Sequence, residues 1–328
     1  MGKDRVLDLL LNADSYLSGE SMSRELSVSR TAIWKAIASL RTQGYEIEAK
    51  TNLGYRLLWT PDTPTKDAVL AHVQGREFCS EVVFLDEIDS TNTHLKHLAA
   101  KGARHATVCI ANSQTDGRGR RGRSFVSSEQ KGLFFSILLR PDKGMQAENL
   151  TRITAFSALA VCDALSKTVD VQAQIKWVND ILVDGKKIVG ILSEMSVLGE
   201  CGQVDYIVVG VGINVHYKQE DFPPEIKDTA SSLAILTGKR IDRAKLAANL
   251  IDAFDVMYQQ MQGDTTALVA RYRTLSATIG CEIDVITADE KKPAFAKNID
   301  ENCALLVVYE DGREDTLHYG EISIRGKN

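Results

Sequence analysis

Gly117-Arg118-Gly119-Arg120-Arg121-Gly122-Arg123 places four guanidinium groups and three glycines in seven positions, a density of positive charge matched nowhere else in the chain. Glycine lacks a Cβ and tolerates positive φ, so the run favours a mobile loop whose backbone N–H groups can close on an anion. Each arginine adds a planar fork suited to phosphate or carboxylate. Helix and strand are both disfavoured. The same composition also suits a solvated loop, or a nucleic-acid contact made through phosphates. Context narrows the choice. Ala106 to Ala111 precedes the run and Gly132-Leu133-Phe134-Phe135-Ser136-Ile137-Leu138-Leu139-Arg140-Pro141 follows it, and both read as buried strands. A charged, glycine-rich connection between buried strands is a place for a ligand-clasping loop.

Moving outward, Val82 to Leu85 reads as a strand leading to Ser90-Thr91-Asn92, which opens a helix through Leu95, Leu98 and Ala99. On residue type alone the triplet is a plain helix cap. Leu150 to Leu165 has helical apolar spacing and should pack on the sheet. Gln174 to Val178 reads as a strand, interrupted at Asn179-Asp180. Asp184-Gly185 then turns a hairpin into Lys186-Lys187-Ile188-Val189-Gly190-Ile191-Leu192. Lys176 and Lys187 are either ordinary strand-end lysines or, given the arginine loop, parts of a polyphosphate site. Tyr206 to Val215 is a continuous apolar strand. Its Gly210-Val211-Gly212 lacks the third glycine and the helix of a dinucleotide fingerprint, and reads as a place where a ligand approaches the backbone. Lys218 to Thr229 is polar and proline-containing and reads as a mobile loop; Arg243 to Met261 is an amphipathic helix. From Ile279 onward the pattern becomes short alternating strands, a small β-barrel.

At the N-terminal end, an apolar pattern from Asp4 to Leu11 predicts one helix. Ser18 caps a second, which breaks at Ser27-Val28, and Ser29 caps a third that ends before Gly44. Ile33, Ala36, Ile37 and Leu40 form the inward stripe of the third helix, leaving Arg30, Thr31, Trp34 and Lys35 outward near its start. That is the pattern of a helix-turn-helix whose second helix enters the major groove, although a helical protein-interaction module is the plainer alternative. Tyr45 to Lys50 and Gly54 to Leu58 add a hairpin wing carrying Lys50 and Arg56. Between Arg24 and Arg56 the charge is +3, in a chain whose net charge is −5, which favours DNA binding by this segment rather than by the whole protein. Thr60-Pro61-Asp62-Thr63-Pro64-Thr65 is a proline-punctuated linker. The expected domains are therefore residues 1–60, a linker over 61–66, a central domain over 67–275 and a C-terminal domain over 276–328.

With 44% hydrophobic and 25% charged residues, 328 positions suit a globular protein of two or three domains. No apolar run approaches the ~20 residues that span a bilayer, and the start is amphipathic rather than a signal peptide, so the expectation is a cytoplasmic protein. Cys79, Cys109, Cys162, Cys201, Cys281 and Cys303 are scattered without a Cys-x-x-Cys pair, which indicates neither a zinc site nor a disulfide framework. His94 and His97 share a helix face but lack neighbouring ligands, and read as surface histidines.

From Glu87 to Ser323, the Ser-Thr-Asn triplet, the arginine loop, Lys176-Trp177-Val178-Asn179-Asp180, Lys187 to Leu192, Gly210 to Asn214 and Gly320-Glu321-Ile322-Ser323 together resemble the biotin protein ligases. The N-terminal segment resembles the domain carried by those members that also repress biotin synthesis genes. The resemblance implies an α+β chain with an N-terminal winged helix-turn-helix, a central α/β catalytic domain on a mixed sheet and a C-terminal SH3-like β-barrel. It implies ATP-dependent formation of biotinyl-5′-AMP, transfer to a lysine of a biotin carboxyl carrier protein, and Mg²⁺ as the ATP counterion. By position, Ser90, Thr91, Asn92, Gln114, Arg118, Gly119, Arg120, Lys187 and Gly190 would hold biotin, with Lys187, Arg120 and Arg118 catalytic. Arg121, Arg123, Lys176, Asn179, Asp180 and Asn214 would serve ATP, Asp180 also the Mg²⁺. Arg30, Thr31, Trp34, Lys35 and Lys50 would contact operator DNA, with a homodimer forming when biotinyl-5′-AMP is bound. Val178 stands where the family usually has proline and Phe125 where it has tryptophan. Lipoate ligation, a ligand-sensing repressor without ligase activity, and an RNA-binding protein are the rival readings; the last would want aromatic residues interleaved with the charges.

Overall fold

The computed structural model describes residues 2–42, 44–60, 62–74, 77–141, 149–198, 203–287 and 290–325; Pro61 and Cys201, named above, lie outside them. It divides into two compact units, Met1–Asp62 and Thr63–Asn328.

In the first unit, helices α1 (Gly2–Leu11), α2 (Gly19–Leu26) and α3 (Arg30–Thr42) precede a hairpin of β1 (Glu46–Lys50) and β2 (Gly54–Trp59). The caps are those the residue types dictate. Ser18 Oγ accepts from Ser21 N at 2.9 Å, Ser27 closes α2 in the left-handed region at φ 54°, and Ser29 Oγ accepts from Ala32 N at 3.1 Å. Val6, Leu10, Met22, Leu26, Ile33, Ile37, Leu40 and Ile47 form its core. Leu17 and Tyr55 exchange backbone hydrogen bonds at 2.8 Å, which ties the α1–α2 connection to the hairpin as a third short strand.

The second unit runs α4 (Lys66–Leu70), β3 (Glu81–Ile88), α5 (Thr91–Ala100), β4 (Thr107–Gln114), β5 (Gly132–Leu139), α6 (Leu150–Thr168), β6 (Ala173–Lys176), β7 (Asp180–Val183), β8 (Lys186–Leu198), β9 (Gln203–Asn214), α7 (Leu233–Thr237), α8 (Arg243–Met261) and α9 (Thr266–Thr274). It ends in β10 (Glu282–Ile286), β11 (Lys291–Ile299), β12 (Leu305–Tyr309), β13 (Glu314–Leu317) and β14 (Glu321–Ile324). The central sheet has seven strands in the order β3-β4-β5-β9-β8-β7-β6; β3 and β4 are parallel and the remaining pairs antiparallel. Successive strand residues point to opposite faces. Val108, Ile110, Ile137 and Val209 accordingly join the large core beneath α6 and α8, while Cys109, Leu138 and Val208 pack under α5 with Leu95 and Ala99. Covered on both faces, β5 is buried along its whole length, which is why it is an unbroken apolar run.

The C-terminal strands form a five-stranded antiparallel sheet in the order β13-β12-β11-β10-β14. Ile283, Val285, Ala294, Ala296, Leu305, Val307 and Ile322 join the same core as the central sheet, so the two share one interior.

One local expectation is corrected. The strand expected over Gln174 to Val178 stops at Lys176, and Trp177, Val178 and Asn179 turn the chain into β7; the Trp177–Val178 peptide is cis. The groups of Trp177 are engaged elsewhere: its backbone N donates to Thr278 Oγ1 at 3.0 Å and its indole Nε1 to Cys303 O at 2.9 Å. The segment from Lys218 to Thr229, expected as a mobile loop, is a loop, with residues 223–229 exposed, and it is anchored at two points. Phe222 is buried against Tyr217, and Lys187 N donates to Thr229 O at 2.7 Å.

Candidate active site

One face of the central sheet, the α5 face, floors a cavity of about 1020 Å³ that extends to the C-terminal sheet. Every residue placed above with biotin or ATP lines it. That volume lies at the upper end for a single small-ligand pocket and suits two ligands side by side.

The floor is set by strand residues in register, with Ser136 buried beneath it. Ser136 of β5 pairs with Gly210 of β9, which pairs with Leu192 of β8; two residues along, Gly212 pairs with Gly190. A Cβ on Gly210 would lie 2.2 Å from Asn92 Oδ1, and one on Gly212 would lie 2.7 Å from the Phe125 ring. The space at these glycines admits the chain's own Asn92 and Phe125, while Gly210 and Gly212 also line the cavity. Phe125 meets Phe134 edge-on, so the aromatic bulk forms a wall of the cavity.

The Ser-Thr-Asn triplet is not a plain cap. Ser90 makes no side-chain cap hydrogen bond, although it occupies the N-cap position of α5. Thr91 donates through N and Oγ1 to Gln114 Oε1, at 2.9 and 3.1 Å, and Gln114 Nε2 donates to Ser127 Oγ at 3.1 Å. Asn92 Nδ2 donates to Leu192 O and Glu194 Oε2, and Ser136 Oγ lies 2.7 Å from both Asn92 Oδ1 and Thr91 Oγ1. Burial would raise the Glu194 carboxyl, but hydrogen bonds from Lys96 and Asn92 outweigh it and hold the group below its ordinary value. Ser136, Glu194 and Lys96 were not singled out in the sequence. Ser136 left a trace as the one hydroxyl inside an apolar strand; the other two left none.

The other end of the cavity is cationic. The arginine loop contains one 3-10 turn, Arg120–Gly122, and a bridge between Arg118 and Ser124, and it closes on itself through Gly119 N to Arg123 O at 2.7 Å. Arg118 pairs with Asp116 at 2.7 Å; Arg121 and Arg123 reach Glu321 of β14, and Arg121 also donates to Ile286 O at 3.0 Å. Arg120 Nη1 donates to Asn179 Oδ1 at 3.1 Å. Asn179 Nδ2 donates in turn to Ile191 O, and Asn214 Nδ2 donates to Ser231 O. Lys187 Nζ lies 2.6 Å from Asp180. Among the described residues neither Arg120 nor Lys176 has a carboxylate partner, and burial pushes both below their ordinary values. Asp180 and Glu321 lie near both and offset part of that burial, yet neither closes an ion pair with them, so both cations stay open to a bound anion.

In the first unit, Arg30, Thr31, Trp34 and Lys35 are all exposed on the first two turns of α3, with Trp34 60% accessible. Lys50 and Arg56 on the hairpin flank the Tyr16 ring at 5.8 and 6.0 Å, and the Tyr16 hydroxyl is bonded to Glu48.

A helix-turn-helix with a basic recognition face, and a sheet carrying a cavity that is hydrogen-bonding at one end and cationic at the other, define a DNA-binding module joined to a ligase module. Residues 3–56 match an HTH domain and residues 84–214 match the Biotin/lipoate A/B protein ligase family. The chain is 34% identical to the bifunctional ligase/repressor BirA of Bacillus spizizenii, covering 94% of each, and 28% identical to that of Escherichia coli, covering 98% of this chain and 96% of the other. Its fold matches the biotin protein ligase of Aquifex aeolicus solved with biotin and ATP, at TM-score 0.64 and 28% identity, over 76% of this chain and all of that one. The chain belongs to the family of bifunctional biotin ligase/repressors.

Proposed function

We propose that this chain activates biotin with ATP, transfers it to a lysine of a biotin carboxyl carrier protein, and represses biotin genes with biotinyl-5′-AMP as corepressor. The observation that carries the reading is the two-ended cavity: neutral hydrogen-bonding groups at Thr91, Gln114 and Ser90, and the half-buried cations Arg120 and Lys176, which close no ion pair among the described residues. A carboxylate and an α-phosphate repel unless cations bridge them. Arg118 and Arg120 would close over that junction and Lys187 would stand beside it. A biotin carboxylate oxygen attacks the α-phosphorus, the bond to the β-phosphate breaks and pyrophosphate leaves. The acceptor lysine nitrogen then attacks the acyl carbon, AMP leaves, and the lysine loses a proton. Lys187 and Arg120 orient these groups and stabilise the charge that develops on the phosphorus oxygens. Lys176, Asn179, Arg121, Arg123 and Asn214 would hold the nucleotide.

Mg²⁺ fits as an ion carried mainly by ATP. Among the described residues no cluster of three metal-donor side chains exists, and Asp180 is a single carboxylate of the kind that joins phosphate oxygens around Mg²⁺. The ion would neutralise phosphate charge. In this reading the C-terminal sheet is the family's SH3-like barrel, the protein acts in the cytoplasm, and it dimerises when biotinyl-5′-AMP is bound. Among the described residues no helix is long and apolar enough to cross a membrane.

The polar end of the cavity favours biotin over lipoate, because a ureido ring can use those hydrogen-bonding groups and a dithiolane cannot. Incubation with a biotin-carrier domain, Mg²⁺-ATP and competing lipoate tests this: biotin transfer is the expected outcome. Transfer of lipoate alone, or tight biotin binding without transfer, would replace the reading with one of its rivals.

For the DNA half, operator affinity is expected to rise with biotin plus ATP. Arg30→Ala and Lys35→Ala should each weaken operator binding and lower the salt slope by about one per lost phosphate contact, with ligation unchanged. Unaltered operator binding in the double variant would remove α3 from the interface.

A further inference from the structure

Tyr217, three residues beyond β9, is fully buried. Its ring packs on Phe222 with the centroids 5.4 Å apart, and its backbone O accepts from Ser232 Oγ at 2.7 Å. The phenol reaches across to the stretch that leaves the arginine loop. Its oxygen accepts from Ser128 N and donates to Val126 O, both at 2.9 Å, so one hydroxyl serves backbone groups on either side of Ser127. Burial pushes the phenol up to about 12, so it stays protonated and keeps both roles. Ser127 is the junction of this stretch. Its Oγ accepts from Gln114 Nε2 at 3.1 Å and donates to Phe125 O at 2.9 Å, and a Cβ on Gly117 would lie 2.3 Å from it. Phe125 N donates to Gly117 O at 2.8 Å, which closes the root of the loop, and the bridge between Arg118 and Ser124 stands on that root. Residues 125–128 are thus held between β4, where Gln114 N donates to Ser127 O at 3.1 Å, and Tyr217. A separate set of bonds joins the same two segments at Lys131, whose O accepts from Val215 N and His216 N and whose Nζ meets Asp221 at 2.5 Å. Tyr217 carries the fastening inward, beside Phe125 and the arginines that line the cavity.

We propose that Tyr217 is a positioning residue for the adenylation step: its hydroxyl fixes the exit of the arginine loop and, through Ser127 and Gly117, the placement of Arg118 and Arg120. The inference rests on the ligase reading, in which those two guanidinium groups act on the reacting carboxylate and phosphate. A loop that shifts at its root misaligns both groups, and misplacement by about 1 Å costs up to about a hundredfold in rate. Because the two groups serve the transition state in that reading, the loss falls on the rate more than on substrate affinity.

The test uses the full-length protein and Tyr217→Phe, which keeps the ring against Phe222 and removes only the hydroxyl. Two readouts are taken. In the ligand-free protein, tryptic cleavage between Arg118 and Arg123 should quicken by about five- to tenfold, the scale of one lost hydrogen-bonding group, with no matching rise at sites elsewhere in the chain. In a single turnover at saturating biotin and ATP, formation of biotinyl-5′-AMP should slow by about the same factor, while the dissociation constants of both substrates stay within about twofold of wild type. Tyr309→Phe, which removes a phenol from β12, is the control and should match wild type in both readouts. Cleavage that quickens equally along the whole chain, a parallel loss of substrate affinity, or a fall in melting temperature without a change in rate would assign Tyr217 a merely structural role and overturn the proposal. If wild type forms no biotinyl-5′-AMP, the functional reading falls and this inference with it; if wild type forms it and Tyr217→Phe matches its rate, only this inference falls.

Discussion

Lys187→Ala lowers biotinyl-5′-AMP formation by about two to three orders of magnitude, the scale on which a single preorganised charge acts at a reacting centre. Lys187 is placed at the start of β8 by backbone hydrogen bonds on both sides, its N donating to Thr229 O at 2.7 Å and its O accepting from Ser231 N at 3.0 Å. Its ammonium lies 2.6 Å from Asp180, whose side chain is only 17% exposed. On the proposed reading, substitution removes a cation from beside the junction of acyl oxygen and α-phosphate; it also strips Asp180 of its counterion. The measurement is pyrophosphate release in a single turnover, with thermal unfolding recorded alongside. Lys187→Arg should recover part of the rate, since it restores charge but not the compact ammonium geometry. Activity within tenfold of wild type in the alanine variant would remove Lys187 from the reaction centre.

Gly210→Ala weakens biotin binding by about ten- to a hundredfold while leaving ATP affinity near wild type. The new Cβ would stand 2.2, 2.9 and 3.0 Å from three atoms of the Asn92 amide. That amide is no loose side-chain end, being held by Ser136, Leu192 and Glu194. Overpacking of this kind costs about 1–3 kcal/mol, and displacing Asn92 also disturbs its neighbour Thr91 at the cavity. Gly263→Ala, where a Cβ meets nothing within 4 Å, is the control and should bind biotin normally. Titration calorimetry of the two variants decides it; equal affinities would mean that Asn92 moves aside without consequence.

The N-terminal unit was legible almost residue by residue, because its instructions are local. Serine caps, a left-handed break at Ser27 and a 3.6-residue apolar stripe each act within a turn or two of chain. The central strands were legible for a similar reason, since β5 and β9 are apolar runs that only burial on both faces explains. The features that were not legible share a cause. Trp177 reads as strand by residue type, but its backbone N and indole are bonded to Thr278 and Cys303, a hundred residues and more away. Lys218 to Thr229 reads as loop by composition and is one, but only the fold shows that Phe222 within it is buried against Tyr217.

At the site, residue type alone singled out the charged groups, because four arginines in seven positions and lysines at strand ends are conspicuous wherever the chain leads. The sequence by itself determined a helix-turn-helix, a set of buried strands and a cationic loop between two of them. The tertiary structure alone decided which polar groups face one another. Ser136, Gly210 and Leu192 come from three strands and meet only through sheet register, and Asn92 and Glu194 are about a hundred positions apart yet share a hydrogen bond. The direction of a hydrogen bond depends on both partners at once, so no single position could carry it, and the polar contacts beneath the cavity exist only once the strands are aligned.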